Sequence, residues 1–173
     1  MPPLRTGLSQ QDAQDDFLRA RRARALNRLR RVFDRAGDVD MILPFDEVVG
    51  ALGRVGERDL GVRVVEVDSV LGSVDRPHDF DRAFRPRLSR VRPRWERIAA
   101  ARHRGEGMPP VELYRVGDVH FVRDGHHRVS VARAMGDRVI DAHVVEVLTR
   151  VGADRTLRLS DLPHKGHERL FLE

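Results

Sequence analysis

The run Asp124-Gly125-His126-His127-Arg128 gathers an aspartate, two histidines and an arginine around one glycine. A β-rich stretch, Val119 to Val122, leads into it, and a helical pattern, His126 to Met135, leads out. The first N–H groups of a helix have no intrahelical partner. Together with the positive end of the helix dipole they make such a junction attractive to anions. Gly125 allows backbone to approach a ligand closely. Arg128, in the first turn, could clamp a phosphate with two hydrogen bonds. His126 or His127 could donate a further hydrogen bond or carry a proton. Each residue also has a purely structural reading: Asp124 as a cap, Gly125 as a turn, one histidine packed inside. Consecutive helical residues point about 100° apart, so the two histidines are not expected to share one ligand. A zinc site drawn from His120, His126, His127 and His143 is disfavoured on the same ground.

The elements that must position this junction follow from the surrounding pattern. Val111 to Val116 reads as a strand, Gly117-Asp118 as a hairpin turn, and Val119 to Val122 as the returning strand. Arg138 to Val147, rich in Val and Ile, is a last strand. Upstream, Pro93 suits the first turn of a helix over Arg94 to Arg104, with Trp95 as a core anchor and Gly105 and Gly107 as stops. Val62 to Val67 is a β-branched strand, followed by a turn through Asp68-Ser69-Val70-Leu71-Gly72. Phe45 to Leu52 reads as a short helix, Gly53 to Gly61 as a glycine-rich loop, and Asp79 to Phe84 as one or two helical turns. After Gly152 the chain is polar and mixed, ending in Leu170-Phe171-Leu172.

Ser9 to Ala36 reads as one long helix, opened by the Ser9/Asp12 capping box and closed by Gly37. Leu18, Arg22, Ala25, Leu26, Leu29, Val32, Phe33 and Ala36 fall on one face. That face must pack on the rest of the chain or on a second copy, so a homodimer is one of two outcomes. Arg24, Arg28, Arg31 and Arg35 line the opposite face, as a nucleic-acid surface or as an ordinary solvated one.

Composition narrows the function classes. The chain has 173 residues, 40% hydrophobic and 34% charged, but only 5% aromatic, which allows a modest aliphatic core. With no cysteine, a disulfide scaffold, a thiolate zinc site and cysteine catalysis are excluded. No apolar run approaches the ~20 residues that span a bilayer, and Met1 to Arg5 lacks a signal core, so a cytoplasmic protein is expected. The formal charge is +5, and Lys165 is the single lysine. Arginine favours planar contacts to phosphates and carboxylates, although a GC-rich genome produces the same bias.

The run Pro109-Pro110-Val111-Glu112-Leu113-Tyr114-Arg115-Val116, the hairpin, and then Asp124 to Gly136 resemble the ParB/sulfiredoxin fold, and more narrowly the bacterial ParB-like domain proteins. The resemblance covers roughly Gly61 to Leu148. It implies an α+β fold: a small mixed sheet with helices, here preceded by a long amphipathic helix. Residues 1–60 would be a helical extension, 61–150 the ParB-like domain and 151–173 a tail. ParB proteins carry a Gly-Glu-Arg-Arg type motif at this junction and sulfiredoxins Gly-Gly-Cys-His-Arg. The shared glycine and arginine fall on Gly125 and Arg128, and the His-Arg pair on His127-Arg128. His126 stands where sulfiredoxin has cysteine, which excludes that chemistry.

The resemblance further implies that the junction binds a nucleotide (CTP, ATP or ADP) with Mg²⁺. Asp124, Gly125, His127, Arg128, Ser130 and Arg76 would then contact it. Asp68 and Asp75 would hold the metal, and Asp75, His126 and His127 would take part in hydrolysis or phosphoryl transfer. About 25 residues follow Val147, too few for the helix-turn-helix domain of a full ParB. Any DNA contact is therefore expected to use the arginine row of the first helix, without catalysis, as a salt-sensitive phosphate contact. A nuclease would want clustered carboxylates, and those of this chain are scattered.

Overall fold

A computed structural model describes residues 7–32, the last seven of these as backbone, and 40–172. The first helix, α1 (Ser9–Val32), leads to strand β1 (Leu43–Pro44) and helix α2 (Phe45–Leu52). Strands β2 (Arg54–Glu66) and β3 (Val70–Ser73) come next, then helix α3 (Arg92–His103). The hairpin β4 (Val111–Val116) and β5 (Val119–Asp124), helix α4 (His126–Ala134), strand β6 (Val139–Thr149) and helix α5 (Leu162–Phe171) complete the order. The fold is mixed α/β, with one six-stranded sheet ordered β1-β3-β5-β4-β6-β2. β3 runs parallel to both β1 and β5, and β4 parallel to β6, while β4–β5 and β6–β2 are antiparallel.

Parallel strands need both faces covered, because their crossovers place helices there. Alternating side chains of the sheet supply two cores. On one face Val70, Val111, Leu113, Val122, Ala142 and Val144 pack against Ala13 and Phe17 of α1, Trp95 and Ala99 of α3, and Val129 of α4. On the other, Leu71, Val119, Phe121 and Val147 pack against Phe45, Val48 and Leu52 of α2 and Leu162 of α5. Trp95 is fully buried, meets Phe17 edge-on at 5.4 Å, and donates its indole N–H to Ser130 Oγ at 2.8 Å. Burying the indole with its donor satisfied makes it the anchor of the first core. Among the described residues no helix is long and apolar enough to cross a membrane.

Several local expectations are corrected. Of the glycine-rich stretch, Gly53 caps α2 and Arg54 to Gly61 is strand: β2 pairs with β6, and Gly56 and Gly61 sit at its two register shifts. Glycine here relieves bulges rather than making a loop. Val70 to Gly72 is not a turn but part of β3, which is buried throughout. A Cβ on Gly72 would lie 2.0 Å from the Phe121 ring, so this glycine admits a neighbouring side chain. Asp79 to Phe84 forms no helix; it is an irregular segment with a Phe80–Pro86 bridge, tied by backbone N–H bonds from Ala83 and Arg85 to the Asp81 carboxylate. The polar tail contains α5, with Pro163 in its first turn.

In α1 the expected apolar face is rotated. Ala13 and Phe17 are buried, while Leu18, Arg22 and Ala25 are exposed. The larger contact area of Phe17 against Trp95 outweighs that of Leu18. Asp16 and His103 Nε2, 2.7 Å apart, pin the same face to α3. The side chains of Leu26, Leu29 and Val32, and residues Phe33 and Ala36, lie outside the described side chains.

Candidate functional site

Strands β3 and β5 are parallel neighbours, with Ser73 opposite Val122, so the chain leaves both at the same end of the sheet. In open α/β sheets that end is where ligands collect. The exit from β3 carries Asp75 and Arg76; the exit from β5 carries Gly125 and the start of α4. α3 packs beside α4 and brings Arg94 in its first turn. A crevice of about 20 Å³ results, lined by Arg76, Arg94, Ile98, Asp124, Gly125, His126, His127 and Arg128. Next to it, sharing Arg76, is a cavity of about 320 Å³ lined by Asp75, Arg76, Pro77, His78, Asp79 and Arg90.

Gly125 is the N-cap of α4 and adopts φ 103°. A Cβ there would lie 2.6 Å from Val111 Cγ1, so both the left-handed backbone and the close approach to β4 call for glycine. No side chain caps α4, so the amides of its first turn have no side-chain cap acceptor.

Arg128 does not reach over those amides as a clamp. One of its terminal nitrogens donates to the carbonyls of Pro109 and Pro110, at 2.7 and 2.9 Å. The other donates to Asp124 at 2.6 Å. It ties α4 to the chain entering β4 and occupies Asp124 in doing so. Ser130 is likewise engaged, as the acceptor for Trp95 in the core.

His126 is buried against the rings of both Phe80 and Phe84, with Nε2 2.8 Å from Ser73 Oγ and 3.5 Å from Asp75. Hydroxyl and carboxylate address the same ring nitrogen, so the three do not form a nucleophilic relay, which needs one partner on each nitrogen. Ser73 Oγ also accepts the backbone N–H of Arg76, fixing the turn that presents that arginine. His127 meets Phe80 edge-on at 5.4 Å. Among the described residues no polar group is hydrogen-bonded to its ring.

Burial lowers the pKa of both histidines from 6.5 to about 4, and for His127 the cations Arg94 and Arg76 reinforce the effect. Both are neutral near pH 7, and His126 is therefore no ion-pair partner of Asp75 there. With three arginines, Arg76, Arg94 and Arg128, and one carboxylate, Asp124, in its lining, the crevice is electropositive.

These shifts fix a pH dependence. Between about 4 and 6.5 the unfolded chain binds protons that the folded chain refuses. The stability due to neutral His126 and His127 is thus complete above 6.5 and is lost as the pH falls toward 4. His120, also lowered to about 4 chiefly by burial, adds to the same slope. Burial raises Asp81, which opposes it. Melting temperatures measured across this window are expected to fall with acidification, and His127→Gln is expected to flatten the fall. An unchanged slope in that variant would contradict the assignment.

The remaining candidates are dispersed. Asp68 does not join Asp75; it lines a separate cavity of about 830 Å³ with Arg133, Phe84 and Arg155. Among the described residues no three His, Cys, Asp or Glu side chains assemble as a metal set. That larger cavity is the less persuasive anion site, because four carboxylates (Asp16, Glu66, Asp68 and Asp137) line it and four of its five arginines are engaged, Arg19 with Asp16, Arg85 with Asp81, Arg155 with Glu66, and Arg133 with the carbonyls of Val67 and Val70, leaving Arg138 without a carboxylate partner among the described residues. Arg24 is half-buried, the side chains of Arg28 and Arg31 lie outside those described, and Arg35 lies outside the described residues.

Sequence reasoning missed Arg94, Phe80, Asp79 and Arg90. Pro93 marks the first turn of α3 and so could have singled out Arg94. Asp79, buried, accepts from Arg90 at 2.5 Å and faces Arg76 at 3.5 Å, so one carboxylate steadies two cations.

At the level of class, fold and site define a mixed α/β protein with an electropositive crevice at the carboxyl ends of two parallel strands. No family model, curated protein or solved structure matches this chain.

Proposed function

We propose that this chain is a ParB-like phosphate-binding module that receives the phosphates of a nucleotide at the first turn of α4. The observation that carries the reading is the convergence of Arg76 and Arg94 on the helix end beyond Gly125. Free amides and two guanidinium groups around one point recognise phosphate by dipole, charge and hydrogen bonding together. Arg76 and Arg94 are exposed and long, so they can part to admit a group larger than the crevice. Arg128 and Asp124 serve as positioning residues, holding the helix end in place. The adjoining cavity beside Arg76 accommodates the rest of the nucleotide.

Mg²⁺ arrives with a nucleotide and needs only one or two protein carboxylates. Asp75 fits that need, being 60% exposed and free of any arginine partner among the described residues. Asp68 does not, since it lines another cavity. If Asp75 is instead free of the metal, it would be the base that takes the proton of the attacking water or hydroxyl when the nucleotide is hydrolysed or gives up a phosphoryl group.

Isothermal titration with CTP, ATP and ADP, with and without Mg²⁺, tests this reading. Saturable heat with at least one of them is expected. No heat from any, on folded protein, would overturn it.

A further inference from the structure

Between residues 85 and 104 the chain holds eight arginines and a single acid, Glu96. The fold sorts them. Trp95, Ala99 and Ala100 turn the inner side of α3 into the core. At 100° per residue Arg94 and Arg97 fall on the opposite side of α3, with Arg90 in the 3-10 turn that precedes the helix and Arg104 just past its end. Arg90 is held by Asp79 and Arg104 by Glu106. Arg94 and Arg97, both exposed, have no carboxylate partner among the described residues. Arg54, Arg58, Arg85, Arg92, Arg102 and Arg155, by contrast, each hold one. Arg94 also lines the crevice at α4, so the charged row runs out of that site along α3.

We infer that this face of α3 docks the phosphate backbone of duplex nucleic acid without reading its sequence. Two unpaired guanidinium groups, flanked by two that each share one carboxylate, fit a line of phosphates. Single strands are held by stacking bases on exposed aromatic rings. The aromatics nearest this face, Trp95 and Phe80, are fully buried, which favours a duplex. The inference does not depend on nucleotide binding, although Arg94 belongs to both surfaces.

Fluorescence anisotropy with a labelled duplex of arbitrary sequence, on the full chain, is the test. Binding is expected at ~50 mM salt, weakening about a hundredfold by ~200 mM, as release of counterions from three or four phosphates requires. Arg97→Glu, outside the crevice, is expected to weaken duplex binding at least about tenfold while leaving nucleotide heat unchanged. Arg21→Glu, the same charge change on exposed α1, is expected to have little effect. Absence of duplex binding at low salt would overturn the inference. So would equal losses in the two variants, which would show net charge or α1 at work, or tighter binding of the single strand. Loss of nucleotide heat with duplex binding intact would instead fall on the α4 site.

Discussion

Replacing both Arg76 and Arg94 with alanine is expected to weaken nucleotide binding by at least about a hundredfold, with the fold intact. Each charge-assisted contact to phosphate contributes about 1.5–3 kcal/mol, and about 1.4 kcal/mol corresponds to tenfold in affinity. Each single variant should therefore lose about tenfold or more. Stability should survive, because Asp79 keeps its 2.5 Å bond from Arg90 when Arg76 is removed. Arg94 is exposed and makes no ion pair among the described residues, so its loss leaves no buried charge unpaired. Titration calorimetry on the variants, with a thermal melt as the control for folding, checks both halves. Unchanged affinity in the double variant would remove the arginines from the site.

Gly125→Ala is expected to lower stability by about 2–4 kcal/mol, or on the order of 10 °C in melting temperature for a chain of this size. Two effects act together. A Cβ at φ 103° strains the backbone, and it would sit 2.6 Å from Val111 Cγ1, a side chain with no exposed surface. The second can be separated from the first. Val111→Ala alone opens a small void in the core, but combined with Gly125→Ala it removes the closest contact, that with Cγ1 at 2.6 Å, and leaves only the tight approach of the Val111 Cβ at 2.9 Å. The double variant is therefore expected to be more stable than the sum of the single losses, and a double-mutant cycle from chemical denaturation reads that coupling. Strict additivity would mean that the close approach of β5 and β4 at this point does not hold α4 in place.

Several elements were legible because local rules suffice for them. Phe45 to Leu52 is helix, Val111 to Val116 strand, and α4 begins at His126, as patterning and glycine placement indicate. Reading failed where glycine serves a neighbour distant in sequence. Gly72 makes room for Phe121, and Gly56 and Gly61 absorb register shifts against β6, yet each looks like a turn residue on its own. The junction's location was legible too, since a strand followed by glycine and a helix marks free amides. The partners of its side chains were not. Arg128 turns to two proline carbonyls, and Arg94 enters from α3, because packing of α3 beside α4 decides what meets there. Spacing along a chain carries no record of such meetings.

The central claim is that the amide end of α4 receives phosphate. Amide ¹H–¹⁵N correlation spectra recorded during titration with the nucleotide that gives calorimetric heat, and with inorganic phosphate as the minimal probe, test it most directly. The largest shifts are expected at the backbone amides of Gly125, His126 and His127. Shifts confined to the cavity around Phe84 and Arg133, or a spectrum that does not move, would contradict it.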